Sequence, residues 1–305
     1  MKIINGKLIA KKIRLELKKK ISASRKKPRL AVILIGNDPA SRLYVSLKEK
    51  ACKEVGIDFQ KAVFPDTVEE KDILALIKKL NSEPKINGIL IQLPLPKKFN
   101  ASKIIWALEP KKDVDGFHPK NVRQLKKGKI FIEPVLAKAI FALIKKAVQK
   151  KIAAKIKIGT KSKFDSKSAI NPKTGLKTLI VGKSDAFTEP LESYLKQKGF
   201  AAKHTHFKNY ETAKKQTSKN DIVIIAIGSA NLFSAKDFKE GAIIIDVGIN
   251  KLTSGRIVGD VNFDSLKNKN VLITPVPGGV GPVTVAMLLE NVYLLKKQQL
   301  IDITL

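Results

Sequence analysis

The apolar positions of this chain follow two alternating rhythms. Residues 29–36 (RLAVILIG) form an unbroken apolar run, as a strand covered on both faces does. Leu43, Leu47, Ala51 and Val55 then recur at every fourth place, which predicts an amphipathic helix. Asp38 can cap that helix, Pro39 suits its first turn and Gly56 stops it. Further strands are expected at 59–64 and 88–93, the latter (GILIQL) closed by Pro94 and Pro96, and helices at 69–80, 101–108 and 134–148. A second series follows. It has strands at 178–181, 201–207, 221–227, 242–247 and 271–275, a helix at 190–198 with Thr188 as its candidate cap, and a long helix at 283–297. Strands alternating with helices predict an α/β protein with parallel sheets covered on both faces.

Between the two series, residues 150–175 are rich in Lys and Ser and lose periodicity after Ile158. This stretch reads as a surface loop or partly disordered insert. The 305 residues suffice for two domains of ordinary size. Cys52 is the single cysteine, which excludes an intramolecular disulfide and a Cys-rich zinc site. It reads as a core filler rather than a nucleophile. The N-terminus lacks the apolar core of a signal peptide, and no stretch reaches the ~18 apolar residues of a membrane span. The expectation is a cytoplasmic protein with no membrane partner.

The formal charge of +32 raises the question of nucleic acid. Of the 59 basic residues only six are Arg, and the lysines are dispersed over the polar faces of the expected helices. Specific nucleic-acid sites favour arginine, so a solvated lysine-rich surface is the better reading. A basic nucleic-acid-binding protein that kept the fold without its chemistry is the alternative of another class.

Several segments can carry chemistry. Tyr44 and Lys48 stand four apart on the first predicted helix and share a face. A lysine at the edge of a buried stripe loses solvation, its pKa falls, and it becomes useful for proton transfer. The alternative is a surface coincidence. Gln92 ends a buried strand, where it faces either a ligand crevice or only the strand edge. An aspartate of the tight polar loop KKDVDGFHP, Asp113 or Asp115, could take two hydrogen bonds from an amidine-like ring edge, or simply bond its own turn. Pro277, Gly278 and Gly279 belong to TPVPGGVGPVT, a constrained opening to the last helix with free N–H groups for an anion. His118, His204 and His206 show no metal-ligand spacing, so no metal is assigned. No serine has the context of a hydrolase nucleophile.

Taken together, YVSLKEKACKEVGI, GILIQLPLP, KKDVDGFHPKN, GAIIIDVGIN, the GDV at 259–261 and TPVPGGVGPVTVAML resemble, in order, the signature segments of the bifunctional methylenetetrahydrofolate dehydrogenase/methenyltetrahydrofolate cyclohydrolase (FolD) family. The resemblance implies two α/β domains with the active-site cleft between them. An N-terminal folate-binding catalytic domain would span 1–148 and regain the C-terminal helix 281–305. A Rossmann-like NAD(P)-binding domain would span 149–280, with the insert at about 150–175. It implies Lys48 as the main catalytic residue, Tyr44 packing against the folate, Gln92 orienting Lys48 and substrate, and Asp115 gripping the pterin edge. The loop with Pro277, Gly278 and Gly279 would line the same site.

The implied reactions are oxidation of 5,10-methylenetetrahydrofolate with NADP, or with NAD, and hydrolysis of the methenyl product to 10-formyltetrahydrofolate. The partners would be tetrahydrofolate one-carbon derivatives and a second copy of the chain. Gly182, Lys183, Ser184, Ile249 and Thr284 match cofactor contacts of the family. The first βα turn lacks G-x-G-x-x-G and reads GKSDAFTEP where the family usually shows G-R-S-x-x-V-G-x-P. Lys183, Phe187 and Thr188 depart from that pattern, and Phe207 stands where a small polar residue would help to hold a 2′-phosphate. A largely monofunctional cyclohydrolase with an eroded dinucleotide site is therefore the alternative within the family.

Overall fold

A computed structural model describes residues 1–24, 26–157 and 175–304. In chain order the elements are β1 (Lys2–Ile3), α1 (Gly6–Ser22), β2 (Arg29–Ile35), α2 (Pro39–Val55), β3 (Asp58–Phe64), α3 (Glu70–Ser82), β4 (Gly88–Ile91), α4 (Ala101–Trp106), α5 (Pro119–Lys126) and α6 (Val135–Lys157). There follow β5 (Lys177–Gly182), α7 (Asp185–Gln197), β6 (Ala201–His206), α8 (Tyr210–Thr217), β7 (Ile222–Ala226), β8 (Ile243–Asp246), β9 (Asn250–Lys251), β10 (Ile257–Val258), β11 (Leu272–Ile273) and α9 (Val280–Thr304).

The chain divides into two compact units. One comprises residues 10–135 and 285–305, the other 1–9 and 136–284. The first holds a parallel three-stranded sheet in the order β3-β2-β4. Ala31, Ile33, Ile35, Ile89 and Ile91 pack there against Ile73, Ile77 and Leu80 of α3 and Ile104 of α4. Each such Ile or Leu side chain contributes about 1.5–3 kcal/mol on burial, so α3 is fixed by its apolar face. The buried ammonium of Lys112 closes the far end of α3, donating to the carbonyls of Leu80 (2.9 Å) and Glu83 (2.8 Å). It thereby satisfies carbonyls that a helix end leaves without partners.

The second unit holds a parallel six-stranded sheet in the order β1-β11-β8-β7-β5-β6. Its inner strands β5, β7, β8 and β11 read as Val/Ile/Leu runs because both faces are covered, whereas the edge strands β1 and β6 carry polar residues. Leu179, Val181, Val223, Ile225 and Ile244 pack with Phe233 and Phe238 on one side.

Several elements differ from the sequence expectation. α1 is lysine-rich, yet Ala10, Leu17 and Ile21 share a face and are buried. α5 and α8 are short and were also not anticipated. α7 begins at Asp185 rather than at 190, with Ser184 at its cap position and Pro190 within it. Thr188 caps nothing; its hydroxyl donates to the Ser184 carbonyl at 3.2 Å inside the helix. On α2 the expected cap holds, since Asp38 accepts from the Ser41 backbone N–H at 2.7 Å and Gly56 ends the helix at φ +88°. The expected apolar stripe does not hold. Leu43 and Leu47 are 60% and 46% exposed, and Ser41, Val45, Ala51, Cys52 and Val55 face inward instead.

The opening of the insert, up to Lys157, is the tail of α6. The Lys150 ammonium donates to Ile3 O at 3.1 Å and that of Lys151 to Gly241 O. Residues 158–174, the rest of that insert, lie outside the described residues. Residues 1–9 group with the six-stranded unit because β1 pairs with β11, and 136–148 join it too, whereas the sequence reading placed both in the N-terminal domain.

Candidate active site

Three of the four expected folate-side groups meet in the three-stranded unit. α2 carries Tyr44 and Lys48 one turn apart, both half-buried. β4 ends at Ile91, and Gln92 continues its line, its N–H bonded to Ile33 O at 2.9 Å. That bond fixes the buried Gln92 side chain at the carboxyl end of the sheet, where its Oε1 accepts from Lys48 Nζ at 2.8 Å. The amide Nε2 donates to Leu93 O, which fixes which end of the amide faces the amine.

The loop after β4 separates its two carboxylates. Asp113, 2% exposed, builds the turn: it accepts from the backbone N–H groups of Gly116 (3.1 Å) and His118 (2.8 Å) and from Asn121 Nδ2 (3.0 Å). Asp115 is thereby left for other work. Its backbone is pinned, because its carbonyl accepts from Val135 N at 3.1 Å. Burial pushes the Asp115 carboxyl up to about 6, against the nearby charge of Lys48 and with that of Asp113. Burial likewise lowers the Lys48 amine from the usual lysine range, while the Asp115 charge opposes the fall. Burial also raises the Tyr44 phenol. Cys52, one turn further along α2, is fully buried with its thiol pushed up to about 12 by burial, which suits a core filler.

The expected cofactor residues lie in the six-stranded unit. Gly182 ends β5, and Lys183 and Ser184 follow on an exposed turn into α7. A Cβ at Gly182 would come within 2.7 Å of Thr188 Cγ2. Thr188 is fully buried against that glycine, so its bulk points away from the turn rather than into the path of a phosphate. Ile249, just beyond β8, is 55% exposed, an unusual apolar side chain at the carboxyl end of a parallel sheet, where ligands of such sheets bind. Thr284 lies in the first turns of α9 and donates to Val280 O at 3.1 Å. An exposed cationic turn and an exposed apolar residue at this edge suit a dinucleotide.

Pro277 lines a cavity of about 500 Å³ with Asp246, Arg256, Gly259 and Thr274. Gly278 and Gly279 serve the packing of their own loop. A Cβ on Gly6 would stand 1.8 Å from the Gly279 carbonyl oxygen, and Lys7 N donates to Gly278 O at 3.1 Å. The close approach expected for a ligand is thus taken by the start of α1.

Sequence reasoning missed a buried acid pair here. Asp246 accepts from the N–H groups of Gly248, Asp260 and Val261, at 3.0, 3.1 and 2.9 Å. Asp260 accepts from Ile227, Gly228 and Ser229 N–H and from Asn250 Nδ2, and so ties the loop after β7 to the strand after Ile249. The apolar run ending in Asp246 and the GDV segment were the available signal.

Two models of one family match most of the chain. The family model described as tetrahydrofolate dehydrogenase/cyclohydrolase, catalytic domain, matches residues 4–115, and the one for its NAD(P)-binding domain matches 138–300. The chain is 41% identical over 293 residues to the bifunctional protein FolD of Geotalea uraniireducens, covering 95% of this chain and 96% of that protein. The crystal structure of the Campylobacter jejuni bifunctional enzyme FolD superposes with a TM-score of 0.84 at 36% identity, covering 98% of this chain and 99% of that one. The Trypanosoma brucei enzyme, solved with NADP cofactor and an inhibitor, gives a TM-score of 0.81 at 29% identity, covering 98% of each chain.

Proposed function

The chain belongs to the tetrahydrofolate dehydrogenase/cyclohydrolase family, and from that premise we propose that it performs both family reactions with Lys48 as its proton-transfer residue. It oxidises 5,10-methylenetetrahydrofolate and hydrolyses the methenyl product to 10-formyltetrahydrofolate. The observation that carries the reading is the Lys48–Gln92 bond beside the Asp115 carboxylate.

In the first step NADP supplies the hydride acceptor. Tyr44 gives the folate ring a flat surface, and Asp115 accepts hydrogen bonds from the pterin edge. The reaction leaves a delocalised amidinium cation, which a charged Lys48 would oppose. A lysine whose burial disfavours its charge meets that need. In the second step the neutral amine accepts a proton from water as its oxygen bonds to the methenyl carbon. It returns that proton to the ring nitrogen as the carbon–nitrogen bond there breaks, and the remaining hydroxyl proton leaves to solvent as the formyl C=O forms. Gln92 points the amine, because its carbonyl holds one N–H and leaves the lone pair free to turn toward the substrate.

On the cofactor side, Lys183 would meet a 2′-phosphate as a point charge, Ser184 and Thr284 would offer hydroxyls, and Ile249 would offer an apolar contact to the dinucleotide. Pro277, Gly278 and Gly279 shape the loop that the family places at the folate. The exposed Leu43 and Leu47 of α2, with Val63 (49% exposed) on the sheet-edge strand β3, supply an apolar surface for a homodimer. No helix among the described residues is long and apolar enough to cross a membrane. We place the enzyme in the cytoplasm, whose reducing conditions suit its one buried thiol.

The test is a coupled assay that follows methenyl formation with NADP and with NAD, and methenyl decay separately. Both activities are expected. Decay without formation under either cofactor leaves a cyclohydrolase alone, and loss of both overturns the reading.

A further inference from the structure

Apart from the folate-side residues, the edge of the six-stranded sheet gathers two imidazoles and a carboxylate. His204 and His206 alternate with Thr205 on β6, so both rings emerge on one face of the edge strand. β6 pairs with β5 so that His206 stands opposite Gly182, and the chain returns three residues later with Asp185, the first residue of α7. Asp185 Oδ1 contacts His206 Nε2 and lies 3.8 Å from His204 Nε2. The three candidate donor atoms all lie within 4.8 Å of one another.

The outer side of His204 is also arranged. Its Nδ1 is bonded to the Glu192 carboxylate on α7, and the same carboxylate oxygen accepts the His204 backbone N–H at 3.1 Å. With the proton held on Nδ1, the Nε2 lone pair faces Asp185 and His206. Carboxylate–histidine support of this kind is the usual outer layer of a metal-bound imidazole.

We propose that His204 Nε2, His206 Nε2 and Asp185 Oδ1 bind one divalent transition-metal ion of the zinc class, with a fourth position left to solvent. Two imidazoles select against Mg²⁺ and Ca²⁺, which take oxygen donors, and two histidines with one carboxylate are a common zinc set. Ligand atoms at about 2.0–2.2 Å from an ion lie roughly 3.4 Å apart in a tetrahedron, so only small side-chain adjustments are required. Both the Asp185 and His206 side chains are exposed enough to make them. The ion would staple the start of α7 to the edge strand β6, one residue beyond the Lys183–Ser184 turn.

The experiment uses the full chain without a histidine tag, stripped with chelator and titrated with Co²⁺ and then Zn²⁺. The expected result is one equivalent of Co²⁺ per chain with visible ligand-field absorption, displaced by Zn²⁺, and a melting temperature raised by Zn²⁺. His204→Ala and His206→Ala should each weaken binding at least 100-fold and abolish the melting shift. Retained methenyl hydrolysis by both variants certifies that they are folded. Absence of stoichiometric binding by the parent chain overturns the proposal. So does equal binding by the folded variants, since the ion would then lie elsewhere.

Discussion

Lys48 Nζ lies 2.8 Å from Gln92 Oε1, so this half-buried amine is held by an uncharged partner. A carboxylate at position 92 would keep Lys48 protonated, whereas an amide orients it without fixing its charge. Lys48→Met should lower methenyl hydrolysis by about 10²–10⁴-fold, the range that general acid–base catalysis contributes. Stopped-flow decay of the methenyl substrate measures it, and hydrolysis within a few fold of the parent would remove Lys48 from the mechanism.

In the proposed reaction Asp115 serves substrate grip, and its charge also acts on Lys48. Its carboxyl, raised to about 6 by burial, loses its charge as pH falls through that value, so kcat/KM for hydrolysis should decline on that side. Its negative charge also holds the Lys48 pKa up. Asp115→Asn should therefore remove the limb near pH 6 and move the lysine limb to lower pH, along with a large rise in KM. A pH–rate profile with an unmoved lysine limb contradicts the coupling.

The dinucleotide turn offers a selective test. Lys183→Ala should raise the KM for NADP about tenfold, as expected for loss of one charge-assisted contact, and leave that for NAD unchanged. Hydrolysis by this variant should be normal. Parallel changes for NADP and NAD would show that Lys183 does not meet the 2′-phosphate.

The apolar surface on α2 and β3 predicts an oligomer. Leu47→Glu should halve the mass seen by light scattering while both activities remain measurable in the monomer. An unchanged mass places the interface elsewhere.

Asp246 makes stability depend on pH. It is 2% exposed, and burial, reinforced by the charge of Asp260, lifts it to about 7 in spite of three backbone donors. Its unfolded value is near 4. Between those values the folded state keeps a proton that the unfolded chain has lost. The contribution is thus complete below about pH 4 and disappears as pH rises to about 7, a span of about 4 kcal/mol. Urea unfolding of the parent and of Asp246→Asn at pH 5 and 8 should show the gap between them changing by roughly 2–3 kcal/mol, the part of that span lying above pH 5, in favour of the parent at the lower pH. Parallel pH curves would refute it.

The alternation of apolar runs made the α/β class and most strands legible, because buried parallel strands leave little room for polar residues. Helix faces were less legible. Positions four apart advance about 400° along a helix, so Leu43, Leu47, Ala51 and Val55 wind about 120° around α2, and only the last two reach the core. The buried set at 41, 45, 52 and 55 follows steps of four, seven and three, which keep one face. Lys48, Gln92 and Asp115 were legible as candidates through their segments, and the fold brings them near one another. Which aspartate builds the turn and which is left free was hidden, because Asp113 and Asp115 differ only in where the folded loop aims them. The His204, His206 and Asp185 grouping was invisible for a similar reason: it exists only once β6 lies beside the turn that follows β5.

The pairing of β1 with β11 sets the order in which this protein can be completed during its own synthesis. Lys2 and Ile3 are synthesised long before Leu272 and Ile273, the residues they pair with. At about 5–20 residues per second that interval is roughly 15–50 s. Through it, the opening segment must stay unpaired while residues 29–91 build their own sheet.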